Sequence, residues 1–311
     1  MLTRLLAAID NPIVVKEGVS RMRTWRAPVV ATVYLSLLGV VGYATLNLGV
    51  ASTAAQGRSA PVASVVGSGA FVWMAMFQIA LVALFSPGLA AGAISGERER
   101  QTLDVLLVSR VSAFGIVWGK LVASLAYMLL LILTAFPLFA AVFLFGGIDA
   151  GQFALSQLLT ITTAICIGSM SLFFSSLFQR SLSATVVSYG AAFVLMVGTG
   201  IAGIIASIAQ ASPNLSSQPP LAAPWYFNPF SALYLVMAPT AQTHSHLRGF
   251  VQLLVGGPGR GQPLSTDGPL VEPWMMTIGI EVLIAVVCIA GAVAVLRGRR
   301  VMRMGHIVET A

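Results

Sequence analysis

The chain has 311 residues, of which 57% are hydrophobic and only 9% charged. A water-soluble domain carries about a quarter charged residues and cannot conceal this much apolar surface, so lipid is the solvent this composition fits. The net charge of +7 does not signal nucleic acid, because the basic residues flank apolar runs instead of interleaving with aromatic ones.

Residues 1–26 form a cytoplasmic interfacial segment with Arg4, Lys16, Glu17, Arg21, Arg23 and Arg26; no apolar stretch followed by a small-residue cleavage site marks a signal peptide. Within it, residues 2–24 read as an interfacial helix that Pro12 breaks or kinks. Six stretches then reach the roughly 20 apolar residues that cross a bilayer: 27–48, 68–92, 121–145, 153–178, 183–208 and 274–296. The fold class is therefore an all-α integral membrane protein with about six transmembrane helices, one membrane domain over 1–311. Five helices lie in 27–208, interrupted by a polar loop at 49–66 and a charged connection at 95–120. A long segment at 209–273 precedes the sixth helix, and a tail at 297–311 follows it. With the N-terminus inside, 14 of the 17 Lys and Arg residues lie on the cytoplasmic side and only Arg58, Arg248 and Arg260 lie outside. That asymmetry predicts both termini inside.

The 209–273 segment carries Trp225, Tyr226, Phe227 and Phe230, aromatics suited to a membrane–water boundary. The run from Ser231 to Met237 is expected to form a short interfacial or re-entrant helix. Cys166 and Cys288 sit inside apolar runs without metal-ligand spacing. Gly198, Gly200 and Gly203 spell G-x-G-x-x-G, but mid-span and with no strand before them, so close helix packing is the reading. Gly115 to Lys120 has three residues between its glycines where a phosphate loop needs four, and Leu121 stands where Ser or Thr would bind magnesium. His244 and His246 have no third ligand nearby in sequence.

Two features stand out. Gly88, Gly92 and Gly96 recur every four residues at the inner half of helix two, a stripe that permits close helix packing, whether a moving or dimerising seam or ordinary packing. Then Glu97, Arg98, Glu99 and Arg100 alternate in sign and give way to Leu103, Leu106 and Leu107, an i, i+3, i+4 apolar edge. This spacing predicts a short helix along the inner membrane surface, that edge in lipid or protein and its charged end towards the cytoplasm or a soluble partner. Glu281, about two turns inside helix six, is the one plausible ionisable residue within the spans. It either faces the bundle or a water-filled cavity with a polar partner, near the outer mouth of a pathway, or reaches the outer interface.

The 95–120 connection resembles that of the permease subunits of ABC-2 type ATP-binding-cassette transporters, whose pattern there is E-R-E-x-G-T-L-E-x-L-L and then G-K before helix three. The matching residues are Glu97, Arg98, Glu99, Thr102, Leu103, Leu106, Leu107, Gly119 and Lys120. Gln101 stands where the family usually has Gly, and Asp104 where Glu is commoner. The stretch Asn11 to Glu17 also resembles the family's entry segment, and the six-helix layout extends the likeness over nearly the whole chain.

The resemblance implies a non-catalytic permease of an ATP-driven exporter in a prokaryotic plasma membrane. It implies no cofactor in this chain, with ATP and Mg bound by a separate cytoplasmic ATPase subunit, and a second permease chain, identical or related, completing the pathway in the lipid bilayer. Residues 95–110 would act as a coupling helix and dock with the N-terminal helix, including Lys16 and Glu17, in a groove of the ATPase. Two rivals stay open on the residues alone: a secondary carrier using Glu281, and a membrane anchor or assembly protein with no transport cycle.

Overall fold

A computed structural model describes residues 25–55, 62–103, 112–210, 223–237 and 273–309. The expected N-terminal interfacial helix with Lys16 and Glu17, and the apolar-edge residues Leu106 and Leu107, lie outside the described residues.

The described residues are helical and contain no strand, and six helices are long and apolar enough to cross a membrane. The first is α1 (Arg26–Ala55) and the second α2 (Val62–Ala90), which a turn joins to the short α3 (Ser95–Glu99). The third is α4 (Ala113–Thr134) continued by α5 (Phe136–Phe143), broken at Ala135 because Pro137 takes the first turn of α5. Proline is tolerated there, where an N–H has no intrahelical partner to lose. The fourth is α6 (Ala150–Leu177), opened by a capping box between Asp149 and Gln152. The fifth is α7 (Ser181–Phe193), a π turn (Val194–Gly198) and α8 (Thr199–Gln210). A 3-10 turn (Ala223–Phe227) and α9 (Pro229–Met237) precede the sixth, α10 (Pro273–Glu309).

The predicted third span begins eight residues late, because α4 takes in Lys120, which the structure buries instead of leaving at an interface. The predicted sixth span ends early, because the helix runs on through Arg297 and Arg299 to Glu309.

The centre of the bundle is α6. It contacts α2, α4, α7, α9 and α10 and is the most buried span. Its interior hydroxyls turn back on their own helix: Thr160 donates to Ser156 O, Thr162 to Leu158 O and Ser171 to Ile167 O. This leaves few polar groups unsatisfied where no water competes. One cross-helix exception is the amide pair Gln78–Gln157, in which each side chain donates to the other's oxygen at 3.3–3.4 Å. On one side of α6, Phe71, Phe139 and Phe153 meet edge to face.

At the end opposite α3, the segment before α10 is knotted onto the fifth span. The π turn displaces the backbone ladder, and Met196 O accepts instead from the buried Asn228 amide at 2.8 Å. Asn228 Oδ1 accepts from Phe230 N at the head of α9. Trp225 Nε1 donates to Ser207 Oγ, and the Ser231 hydroxyl donates to Trp225 O. The glycines of G-x-G-x-x-G make room for this knot: a Cβ on Gly200 would lie 3.0 Å from the Asn228 amide, and one on Gly203 2.7 Å from the Trp225 ring. The short helix expected there exists as α9, with Ser231, Ala232, Leu233 and Leu235 buried. Trp225 is buried, its ring lying over Gly203.

The glycine stripe of helix two divides differently. Helix α2 ends at Ala90, so Gly92 lies in a turn and Gly96 in α3. A Cβ on Gly92 or Gly96 would meet nothing within 4 Å, and one on Gly88 only the Tyr189 hydroxyl. Among the described residues the stripe therefore brings no neighbouring backbone close.

These contrasts set an expectation for thermal unfolding in detergent. Gly203→Leu overpacks the Trp225 contact and should cost about 1–3 kcal/mol, whereas Gly92→Ala should leave the transition within error. Equal transitions for the two variants would refute the knot.

Candidate functional site

The charged run at 97–100 lies on α3, at the end of the bundle where α2, α4, α6, α7 and α10 converge. Helix α3 is only five residues long and has no side-chain cap of its own. Its first amides are satisfied from α6: Ser175 Oγ accepts from both Ile94 N and Ser95 N at 2.9 Å and lies 3.2 Å from Ser95 Oγ. This is N-capping supplied from 80 residues away in sequence.

Each of the next three side chains then reaches a different element. Glu97 Oε1 accepts from Lys120 Nζ at 2.8 Å, an ion pair to α4 in which the Lys120 side chain is 2% exposed and that of Glu97 29%. Arg98 donates from its two terminal nitrogens to Phe178 O at 2.6 Å and Ser176 O at 3.1 Å. Those carbonyls belong to the C-terminal end of α6, the negative end of its dipole. Glu99 accepts from Ser181 N at 2.8 Å and from Ser181 Oγ at 2.7 Å. Ser181 opens α7, whose N-cap Arg180 makes no side-chain cap, so a carboxylate from α3 sits at the positive end of the α7 dipole. Arg299 of α10 donates to Leu177 O at 3.3 Å, capping the same end of α6.

The helix ends in a Schellman motif. Thr102 N donates to Glu97 O and Gln101 N to Arg98 O, with Gln101 at φ 59°. This left-handed position favours glycine, which gives a physical reason for the Gly of the resembled pattern and marks a strained point in this chain. Leu103 is buried among Ile94, Ile116, Val117, Leu121, Leu172 and Leu296, so this member of the apolar edge faces protein. Arg100, Gln101 and Thr102 are exposed at the tip.

The structure therefore brings together Glu97, Arg98, Glu99, Arg100, Thr102, Leu103 and Gly96, with Gly88 and Gly92 on the approach. It sets Glu281 apart. Glu281 lies between α10 and α6, 1% exposed, its Oε1 accepting from Thr163 Oγ1 at 2.8 Å and its Oε2 without a hydrogen-bond partner among the described residues. Thirteen residues of α6 separate Thr163 from Ser176, about 20 Å along the helix. The partners that sequence reasoning missed are Ser175, the carbonyls of Ser176 and Phe178, Ser181 and Arg299. Lys120 is visible in the sequence as part of the G-K match but not as a partner of Glu97. Among the described residues no group of His, Cys, Asp and Glu is arranged to hold a metal.

Two outcomes follow from this geometry. Gln101→Gly should raise the thermal midpoint or leave it unchanged, while β-branched Gln101→Val should lower stability by about 1–2 kcal/mol; a more stable Val variant would contradict the left-handed turn. In a double-mutant cycle, Lys120→Met and Glu97→Gln should each destabilise, since each breaks the ion pair. The double variant should recover part of the loss. Strict additivity would show that the two side chains do not interact.

A search of curated proteins finds no match. The family model for the ABC-2 family transporter protein, however, matches residues 28–294, from the first turn of α1 to beyond the middle of α10. It spans all six apolar helices together with α3 and its partners on α4, α6 and α7, well over half of the chain. This chain belongs to the ABC-2 transporter family and is a multi-pass membrane permease of ABC-type transport.

Proposed function

We propose that this chain is the permease subunit of an ATP-driven exporter, working with a separate cytoplasmic ATPase and a second permease chain in a prokaryotic plasma membrane. The observation that carries the reading is the α3 tip. The family's charged segment is folded there as a discrete helix at the bundle end richest in Arg and Lys, with Arg100, Gln101 and Thr102 exposed. The basic asymmetry of the loops supports a cytoplasmic position for that end, with both termini on the same side. The charges of Glu97, Arg98 and Glu99 are engaged within the chain. Among the described residues of the segment Arg100 is thus a charge left for a partner, and the ATPase groove that receives the tip offers it an acidic or carbonyl-lined surface. The N-terminal segment with Lys16 and Glu17 docks beside it. Gly92 and Gly96, open among the described residues, and Gly88, with only the Tyr189 hydroxyl near it there, suit the approach of a second permease chain.

Affinity purification of the tagged chain from its native host, with mass spectrometry of co-purifying proteins, tests the reading. An ABC-type ATPase should be recovered, and Arg100→Glu should weaken its association by about tenfold or more, as expected when a desolvated charge contact is reversed. Absence of any ATPase with the unaltered chain would overturn the permease assignment. Undiminished recovery with Arg100→Glu would remove the tip from the docking surface.

A further inference from the structure

The order of charges in Glu97-Arg98-Glu99 matches the order of the helix ends it meets. Helices α6 and α7 are joined by the short turn Phe178-Gln179-Arg180. That corner presents two opposite dipole ends side by side, the open carbonyls closing α6 and the open amides starting α7. Arg98 takes the carbonyls and Glu99 the amide and hydroxyl of Ser181, so one dipeptide reads both poles of the corner. Glu97, one residue earlier, points to α4 and pairs with Lys120. Ser175 completes the joint by holding the α3 amides from the α6 side. Exchanging Arg98 and Glu99 would keep the net charge and set like against like at both poles.

Resting on the permease reading above, we propose that Glu97, Arg98 and Glu99 are positioning residues: they fuse α3 to the body of α4 and to the facing ends of α6 and α7, so that displacement of the Arg100–Thr102 tip moves those spans as one block. The coupling helix is then a rigid extension of the bundle, not a hinged arm, and its charges act on this chain before they act on a partner. The Arg98 and Glu97 contacts are partly withdrawn from water, and the exposed Glu99 carboxylate acts by giving the open first amide of α7 an acceptor.

Two measurements test this. In the purified permease alone, hydrogen–deuterium exchange of the first turn of α7 reads the Glu99 contact. Glu99→Ala should speed exchange at Ser181 by about tenfold, the scale of a lost helix N-cap, with Glu99→Gln intermediate because its amide oxygen still accepts. The Arg98→Glu, Glu99→Arg exchange should speed it at least as much as Glu99→Ala. In the complex with the co-purified ATPase, spin labels at Phe114→Cys and Leu182→Cys, exposed on α4 and α7, are placed in a Cys166→Ala, Cys288→Ala background. Their separation should be the same without nucleotide and after trapping with ATP and vanadate, and should change on trapping when Glu99 is Ala. Unaltered Ser181 exchange in Glu99→Ala overturns the proposal. So does a nucleotide-dependent separation with the clasp intact, or an unchanged one in Glu99→Ala. Failure to recover any ATPase sinks the permease reading, whereas recovery of the complex with any of these three results sinks the lever alone.

Discussion

The C-terminal end of α6 is the constraint on which the arrangement depends. A helix leaves its last four carbonyls without intrahelical donors, and in a bundle short of water those oxygens must find N–H groups elsewhere. Here Ser176 O, Leu177 O and Phe178 O are met by Arg98 and Arg299, from two elements that reach the same end by different routes. Because α6 is also the helix that the other buried elements pack against, satisfying its end fixes where α3 sits and where α10 passes. Arginine fits this position because its planar, permanently charged fork spans two carbonyls at once, which a lysine ammonium does with less geometric definition.

The same reasoning explains why so charged a segment can sit against so apolar a bundle. The buried Lys120 ammonium is tolerable near the core because the Glu97 carboxylate pairs with it. Lys120 is buried seven residues into α4 because Glu97 meets it there. The lysine of the G-K match thereby gains a structural meaning, as the far half of an ion pair 23 residues away. Gln101 shows the cost of closing α3 so abruptly: the turn needs a left-handed residue, and this chain puts a side chain there.

Much of this architecture is legible from local pattern. Apolar run length locates all six spans, because a helix crossing lipid must satisfy its own backbone and so declares itself by continuous composition. Small residues at Gly200 and Gly203 are readable as close packing, though not what they pack against. Less legible is anything decided by a distant partner. The start of α4 is misplaced from sequence because Lys120 looks like an interface residue until Glu97 is beside it. That Trp225 packs into a hollow over Gly203 is invisible without the fold. The π turn at Val194–Gly198 carries no local signature, since the group that stabilises it, Asn228, lies 32 residues beyond Met196. At the candidate site, the residue types and their spacing are evident, but the direction in which Glu97, Arg98 and Glu99 point is not. An alternating charge run reads as a solvated or docking face, and only the α6–α7 corner turns it inward.

The two polar knots then divide the labour of the chain. At one end α3 gathers α4, α6 and α7; at the other, Asn228, Trp225 and Ser231 bind the fifth span to α9. Between them lie mostly apolar contacts along α6, with the Gln78–Gln157 and Thr163–Glu281 bonds as polar marks of register. Against this, α1 and the fifth span expose long apolar faces, from Val29 through Val40 and from Leu182 through Ile208. Lipid tails solvate such faces as well as another helix does, so hydrophobicity alone cannot decide what covers them. The described polar contacts thus gather helices at the two ends, while the faces along the sides of α1 and the fifth span present apolar surface.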